Sequence, residues 1–391
     1  MKSILYSVIV LCAVCASAQP IVKTMKRLPD TGQTKSYTDT FGEDNDYTIN
    51  PLFIVKNNNG TAIDTVTGLM WQATDGGEMT FEKAQMFCDT LLLGGFRDWR
   101  MPTPHELFNL FNHQNSNPPL DATVFSKTGA EYWWSGIKQI NDASRVWVTN
   151  AGGGVGNHPK SEALSAGGTK KIHVRAVRDV EPPTIVQQRF VVLGDGTVFD
   201  SLTNLTWQTQ PSASAMNWEE ALSYAEKQTV AGKTDWRLPN IKELYSLHSL
   251  TDFSPAVDKS VFPNIGITKL WSSTSLPNQT VQAWYWDTNT GLTTHVAKTS
   301  MYNVLCVRGG TEQTTDVAQE LKQSFNTVYN SSNDALHLHF STEGSSFSLY
   351  NIVGELLVEN CKSQMFAMQQ FPQGLYVIVE HPSNSVVLFC K

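Results

Sequence analysis

One passage of this chain is written twice. Residues 64–72 read DTVTGLMWQ and residues 200–208 read DSLTNLTWQ. Residues 98–107 read DWRMPTPHEL and residues 235–244 read DWRLPNIKEL. The offset is 136 at the first pair and 137 at the second, and it stays at 137 for Asp121/Asp258, Phe125/Phe262, Trp134/Trp271 and Trp147/Trp284. An offset held over roughly 80 residues marks a duplicated unit, since shared composition keeps no register. What the fold requires should stand in both copies, and what differs is free to carry function.

Local patterns give each copy the same order of elements. A short strand and turn (Gly60–Asp64, Gly196–Asp200) lead to Leu-x-Trp-Gln. An amphipathic helix follows, with Thr80 as cap and Phe81, Ala84, Phe87, Cys88 and Leu91 as its stripe. The second copy offers Asn217 as cap and Glu220 to close a capping box. After Asp-Trp-Arg-x-Pro a second helix starts in another box, Thr103-Pro104-His105-Glu106 or Asn240-Ile241-Lys242-Glu243. Strands are expected at 132–135, 145–149 and 171–177, and at 270–273, 283–286 and 304–308. Alternation puts Trp284 and Trp286 on one face of their strand and Tyr285 on the other. Helices followed by antiparallel strands predict an α+β class for each copy. Asp98 with Arg100, and Asp235 with Arg237, read as ion pairs that fix a turn beside a core Trp.

The order G-T-x-x-D-x-x-T-x-L-x-W-Q, helix, D-W-R-x-P-x-x-x-E-L, W-S, aromatic strand, V-R resembles the Lcl C-terminal domain family, named for the Legionella collagen-like adhesin. The resemblance covers residues 55–179 and 190–310 and takes in the preface Leu28–Thr34 and Gly42–Asp44. It implies two tandem C-type lectin-like domains, each with a small twisted sheet and a long irregular binding loop. The namesake domain binds sulfated polysaccharides, so the resemblance also implies adhesion to glycans. It further implies a bond between a helix Cys and a Cys just before the final Val-Arg. Copy one keeps Cys88 but has Ala176 at the strand position, and copy two keeps Cys306 but has Ala225 in the helix. Two free thiols, or one Cys88–Cys306 bond between copies, are the alternatives.

Met1–Ala18 reads as a secretory signal, with Lys2, the apolar run Ile4–Val14 and Ala16-Ser17-Ala18 before Gln19. That run is too short to span a bilayer, and no other segment is a transmembrane candidate. Residues 19–54 form an extension leading into a first domain at 55–180, a second domain spans 190–310, and 311–333 reads as a linker. Short alternating segments over 334–391 predict a small all-β sandwich. The wording SLYNIVGELLVE…FPQGLYVIVE…VVLFCK resembles the C-terminal sorting domain of the type IX secretion system. It implies that machinery as a partner and a secreted or outer-surface location. Cys361 and Cys390 can pair within this tail, in a compartment that permits disulfides.

The formal net charge is −7, divided as −3 over residues 19–310 and −5 over 311–391, with Lys2 completing it. No basic field suits nucleic acid. The copies differ most in one loop. Copy one runs Asn150-Ala-Gly-Gly-Gly-Val-Gly-Asn-His-Pro-Lys160 and then Ser165–Lys171, and copy two crosses the same place in seven fewer residues. Lys160, Lys170, Lys171, His173 and Arg175, beside Gly-rich backbone N–H groups, suit a sulfate or carboxylate. Trp147, Trp284 and Trp286 are candidates for stacking on sugar rings, as are Trp133, Trp134 and Tyr285. His158 and His295 share the 137 offset, but no cluster at ligand spacing accompanies them, so neither metal nor cofactor is expected. The candidate ligand-binding set is therefore Trp147, His158, Lys160, Lys170, Lys171, Arg175, Trp284 and Trp286. No nucleophile, base and oxyanion site converge, so no enzyme is expected. The expectation is an adhesin-like binder of polysaccharide. The alternative is a structural or protein-interaction surface component with no sugar ligand.

Overall fold

The same indole anchors the first helix of each copy. Trp134 Nε1 donates to Met79 O at 3.0 Å, and Trp271 Nε1 donates to Met216 O at 2.9 Å. The computed structural model describes residues 21–161 and 172–310, and in the tail 326–330, 335–339, 344–351, 356–372, 375–381 and 386–390. The chain forms two compact units, residues 1–312 and 313–391.

In the first unit, β1 (Ile21–Lys23) precedes copy one. Copy one comprises β2 (Ile54–Lys56), β3 (Thr61–Asp64), β4 (Leu69–Gln72), α1 (Phe81–Thr90), α2 (Pro104–Asn109), β5 (Tyr132–Gln139), β6 (Asp142–Asn150), β7 (Val155–Pro159) and β8 (Val177–Asp179). After β9 (Thr184–Val186), copy two repeats the set as β10 (Phe190–Val192), β11 (Thr197–Asp200), β12 (Leu205–Gln208), α3 (Trp218–Glu226), α4 (Ile241–Ser246), β13 (Lys269–Ser275), β14 (Gln282–Asp287), β15 (Thr293–Ala297) and β16 (Val307–Gly309). Each copy holds one antiparallel four-stranded sheet, ordered β2-β3-β4-β8 or β10-β11-β12-β16, and one three-stranded sheet, β5-β6-β7 or β13-β14-β15. A ribbon of β1 and β9 joins the N-terminal segment to the connection between copies.

The α+β expectation is corrected here: strands hold 35% of the described residues and helices 11%, so the described structure is mostly β. The capping boxes placed the helix starts, and all of Thr103, Asn217 and Asn240 accept from the third helical N–H. A cap says nothing of length, however, and the helices stop after 6 to 10 residues. The strands expected at 171–177 and 304–308 begin only at Val177 and Val307. The Asp-Trp-Arg turns are tied differently from the expected pairing. Arg100 grips Glu106 through both nitrogens at 2.7 and 2.8 Å, and Arg237 grips Glu243 at 2.6 Å twice. Asp98 and Asp235 instead pair with Arg178 and Arg308 on the last strand of each copy.

The three-stranded sheets separate two kinds of core. On β14, Tyr285 packs with Trp271 and Cys306 in copy two's own core, while Trp284 and Trp286 enter a second cluster. On β6, Val146 and Val148 face copy one's core and Trp147 joins the same second cluster. That second cluster is shared: Phe108, Phe111 and Trp133 come from copy one, and Tyr245, Leu247 and Trp286 from copy two. Phe108 meets Tyr245 edge to face, centroids 5.0 Å apart. These two residues are counterparts at the 137 offset, so a local two-fold axis runs between them.

The N-terminal extension covers one side of this joint. Lys242 Nζ donates to Asp30 O at 2.7 Å and to Asn109 O at 2.9 Å. Thr31 O accepts from His113 N at 2.7 Å, and the Gln33 amide spans His113 O and Ser275 O. Asp44 is fully buried and accepts from Thr31 and Thr274 hydroxyls, and burial first, then Asp30, raises its carboxyl well above the usual range.

The second unit pairs a three-stranded sheet of β17 (Asn326–Asn330), β18 (Ala335–His339) and β21 (Met365–Ala367) with a four-stranded sheet of β19 (Ser346–Asn351), β20 (Leu356–Cys361), β22 (Leu375–His381) and β23 (Val386–Cys390). Leu336, Leu338, Phe347, Leu349 and Ile378 fill the space between them. Strand β17 falls inside the stretch read as linker. Cys361 is a free thiol, as are Cys88 and Cys306. The Cys390 side chain, the signal at 1–18 and residues 311–325 lie outside the described residues.

Candidate functional site

The aromatic candidates lie inside the molecule. Trp147 is 3% exposed, Trp284 2% and Trp286 0%, and the Nε1–H of each is buried without a hydrogen-bond partner. A ring that no solvent reaches cannot stack on a sugar, so these three are corrected from binding platform to core. The reason is the strand they sit on: one face of β6 and β14 looks into the joint between copies. Trp133, Trp134 and Tyr285 are buried as well.

The Gly-rich loop is likewise a packing device. Gly153, at φ +101°, lies under Trp284, and a Cβ there would stand 3.3 Å from Cζ2. A Cβ on Gly154 would stand 2.9 Å from Thr293 O. His113 Nε2 donates to Gly153 O at 3.1 Å, and Val155 N donates to Thr293 Oγ1 at 2.8 Å. The N–H groups of Gly153 and Gly154 are taken by Asn150 and that of Val155 by Thr293 of copy two, so they are not open to an anion.

His158 and Arg175 are buried too. His158 meets the Tyr132 ring edge to face at 4.5 Å. It pairs with Val146 across the strands, whereas His295 pairs with Trp284, so the shared sequence offset does not make them structural counterparts. A longer turn between β14 and β15 slips that register by one residue. Arg175 donates from Nη1 to Gln72 O and Ala73 O at 2.6 and 2.8 Å and lies over Phe125. Burial lowers its guanidinium to about 10, with Asp75 opposing. Asp75 accepts from His173, Thr128 and Trp133, and these bonds, with the charge of Arg175, outweigh burial and hold its carboxyl at about 2. This network belongs to copy one alone, since Pro211 and Leu305 stand at the equivalent places. Lys160 is half-buried just after β7. Lys170 and Lys171 lie outside the described residues.

A groove of about 660 Å³ opens elsewhere at the joint, away from the stretch Asp30–Lys35. Residues Ile21–Leu28 form one wall, the stretch Ser246–Asp252 after α4 another, and Phe190, Leu202 and Val261 an apolar end. Thr103, His105 and Asn109 of α2 reach it from copy one. His105 Nε2 donates to His248 O at 3.1 Å, and its ring lies 5.0 Å from that of Tyr245. Burial, with the charge of Arg189, lowers this imidazole to about 4, so it is neutral at physiological pH. Arg189 is held by Asp200 and by Ser246 O. Asn109 Oδ1 is buried without a partner. The groove can seat a ligand by shape and apolar contact, with main-chain groups and neutral side chains to orient it. Sequence reasoning missed it because its walls come from segments far apart in the chain.

Among the described residues no three His, Cys, Asp or Glu side chains gather as a metal site, and no helix is long and apolar enough to cross a membrane. A family model described as the Lcl C-terminal domain matches residues 60–178 and again residues 196–308. No curated protein matches the chain.

Proposed function

Because this chain belongs to the Lcl C-terminal domain family, a family of adhesin-like surface proteins, we propose that it is an exported, non-enzymatic binding protein that seats its ligand in the groove at the joint of its two copies. The observation that carries this reading is the groove itself, a concave site built by both copies while every aromatic candidate is used up in the core. In this reading Met1–Ala18 directs export. The C-terminal two-sheet unit serves as an address for the type IX secretion machinery, a role supported by its strand-rich wording and sheet pairing.

A second reading keeps the polysaccharide ligand and moves it to the cationic end of copy one. Lys160 leads from β7 into the segment that carries Lys170 and Lys171, a charge set suited to sulfate groups. One experiment separates the two. Labelled mature protein is titrated onto intact cell surfaces, with and without soluble sulfated polysaccharide. Groove binding is saturable and is lost in Ser260→Trp, which fills the rim from an exposed position. Binding that survives Ser260→Trp but disappears in the Lys160→Ala/Lys170→Ala/Lys171→Ala variant, and is displaced by the polysaccharide, assigns the ligand to the basic segment instead.

A further inference from the structure

The groove has a counterpart across the local two-fold axis, and that counterpart is full. At the 137 offset, His105 corresponds to Lys242, Ser249 to Asn112, Leu250 to His113 and Thr251 to Gln114. The scaffold on the two sides matches bond for bond. Asn112 N donates to Pro119 O at 2.7 Å, and Ser249 N donates to Ala256 O at 2.9 Å. Gln114 N donates to Asn112 Oδ1 at 2.9 Å, and Thr251 N donates to Ser249 Oγ at 3.3 Å.

On the filled side, the residue between these two bonds receives an irregular stretch of the chain's own N-terminal segment, turned at Gly32. His113 N donates to Thr31 O at 2.7 Å. The Gln114 carboxamide then accepts from Thr34 N and Lys35 N at 3.0 and 3.1 Å, while Lys242 holds Asp30 O. The segment presses close at Gly32, φ +84°, where a Cβ would stand 2.7 Å from Asn112 Oδ1. The molecule thus demonstrates what this surface accepts: polypeptide held mainly through its main chain.

On the groove side the matching donor is open. Leu250 lines the groove, and its N–H reaches no acceptor among the described residues. An unmade hydrogen bond of this kind favours a ligand that supplies a carbonyl, which a polypeptide does. Of the charges lining the groove, Arg189 is engaged with Asp200, Asp252 with Ser249 and Asp258 with Ser260, while Lys23 and Arg27 stand on the N-terminal wall. Apolar side chains at Leu202, Leu247 and Val261 offer burial to apolar residues of an incoming chain.

We infer that the groove binds an apolar-rich polypeptide segment of a partner protein, received by Leu250 as His113 receives the chain's own residue 31. The inference rests on the groove being the binding site. The test pans the full mature chain against a phage-displayed library of random linear peptides and measures enriched synthetic peptides by fluorescence anisotropy and by hydrogen exchange at the Leu250 amide. Apolar-rich sequences should enrich, slow Leu250 exchange, and bind at least about tenfold more weakly to Ser260→Trp and to Thr251→Trp, both at exposed rim positions. Circular dichroism and melting temperature establish that each variant is folded. No enrichment, binding unaffected by both rim variants, or unchanged Leu250 exchange would overturn the inference. An oligosaccharide that protects Leu250 where no peptide does would overturn the ligand class and leave the groove as the site. Protection by neither class would remove both.

Discussion

Trp147 of copy one lies over Gly291 of copy two, with its Cη2 3.0 Å from where a Cβ on that glycine would stand. The relationship is reciprocal, because Trp284 of copy two lies over Gly153 of copy one. Each copy inserts an indole against a glycine turn of the other. A side chain at Gly291 would meet His248 Nε2 at 2.6 Å and would have to adopt φ +75°. Gly291→Ala should therefore cost about 2 kcal/mol or more, from overpacking and left-handed backbone together. Gly266→Ala is a control for the backbone part alone, since its φ is +62° with open space around it. Equal urea midpoints for the two variants would contradict the interlock.

The joint also buries histidines, which makes stability depend on pH. Burial, then the charge of Lys242, lowers His113 to about 3, and burial, then His105, lowers His248 well below its usual value. Unfolded, each binds a proton near pH 6.5. Below that pH the unfolded chain holds more protons, so their contribution is full above about 6.5 and is lost as pH falls through the folded values. Lys242 acts in the same direction at higher pH, because burial lowers it to about 7 against a reference of 10.5. Urea midpoints should fall from about pH 7 to about pH 4.5. His248→Phe, which copies Phe111 at the counterpart position, should flatten the slope. A slope unchanged by that variant would contradict the account.

Copy one's polar core should be brittle. Asp75→Ala leaves Arg175 buried without its carboxylate and should cost about 3–5 kcal/mol. Arg175→Leu, the residue copy two carries at Leu305, should cost less because no charge is stranded. Thermal melts of the two variants check the order, and a milder loss in Asp75→Ala would contradict it.

The cysteines give a fourth handle. Cys88 and Ala176 share one core, and Ala225 and Cys306 share the other. Burial pushes the Cys88 thiol up to about 12 and raises Cys306 too, so both should resist a thiol reagent until the chain unfolds. Ala225→Cys should restore a bond to Cys306 and raise stability by about 2–4 kcal/mol under oxidising conditions. Peptide mapping shows whether the bond forms, and two free thiols in the folded variant would contradict the pairing.

Much of this architecture was legible before the structure. The duplication, the helix caps and the two faces of β14 all follow from local pattern, because a cap or an alternation is decided by neighbouring residues. The use of those faces was not legible. Nothing in Gln282–Trp286 says that the tryptophan face meets a second copy of the same strand rather than solvent. The glycine loop misled for the same reason: glycine permits close approach, but only the fold shows that Trp284, and not an anion, makes it. The groove depends on Leu250, Asn109 and Ile21 meeting, three residues that no local pattern connects.

The central claim is that two family copies form one cooperative body through interlocked tryptophans, leaving binding to the groove. Residue-resolved hydrogen exchange of the chain, wild type against Trp147→Ala, tests it most directly. The account predicts a loss of about 3–5 kcal/mol that appears equally in the buried amides of β6 and of β14, although the substitution is in copy one alone. Loss confined to copy one, with β14 protection unchanged, would contradict it.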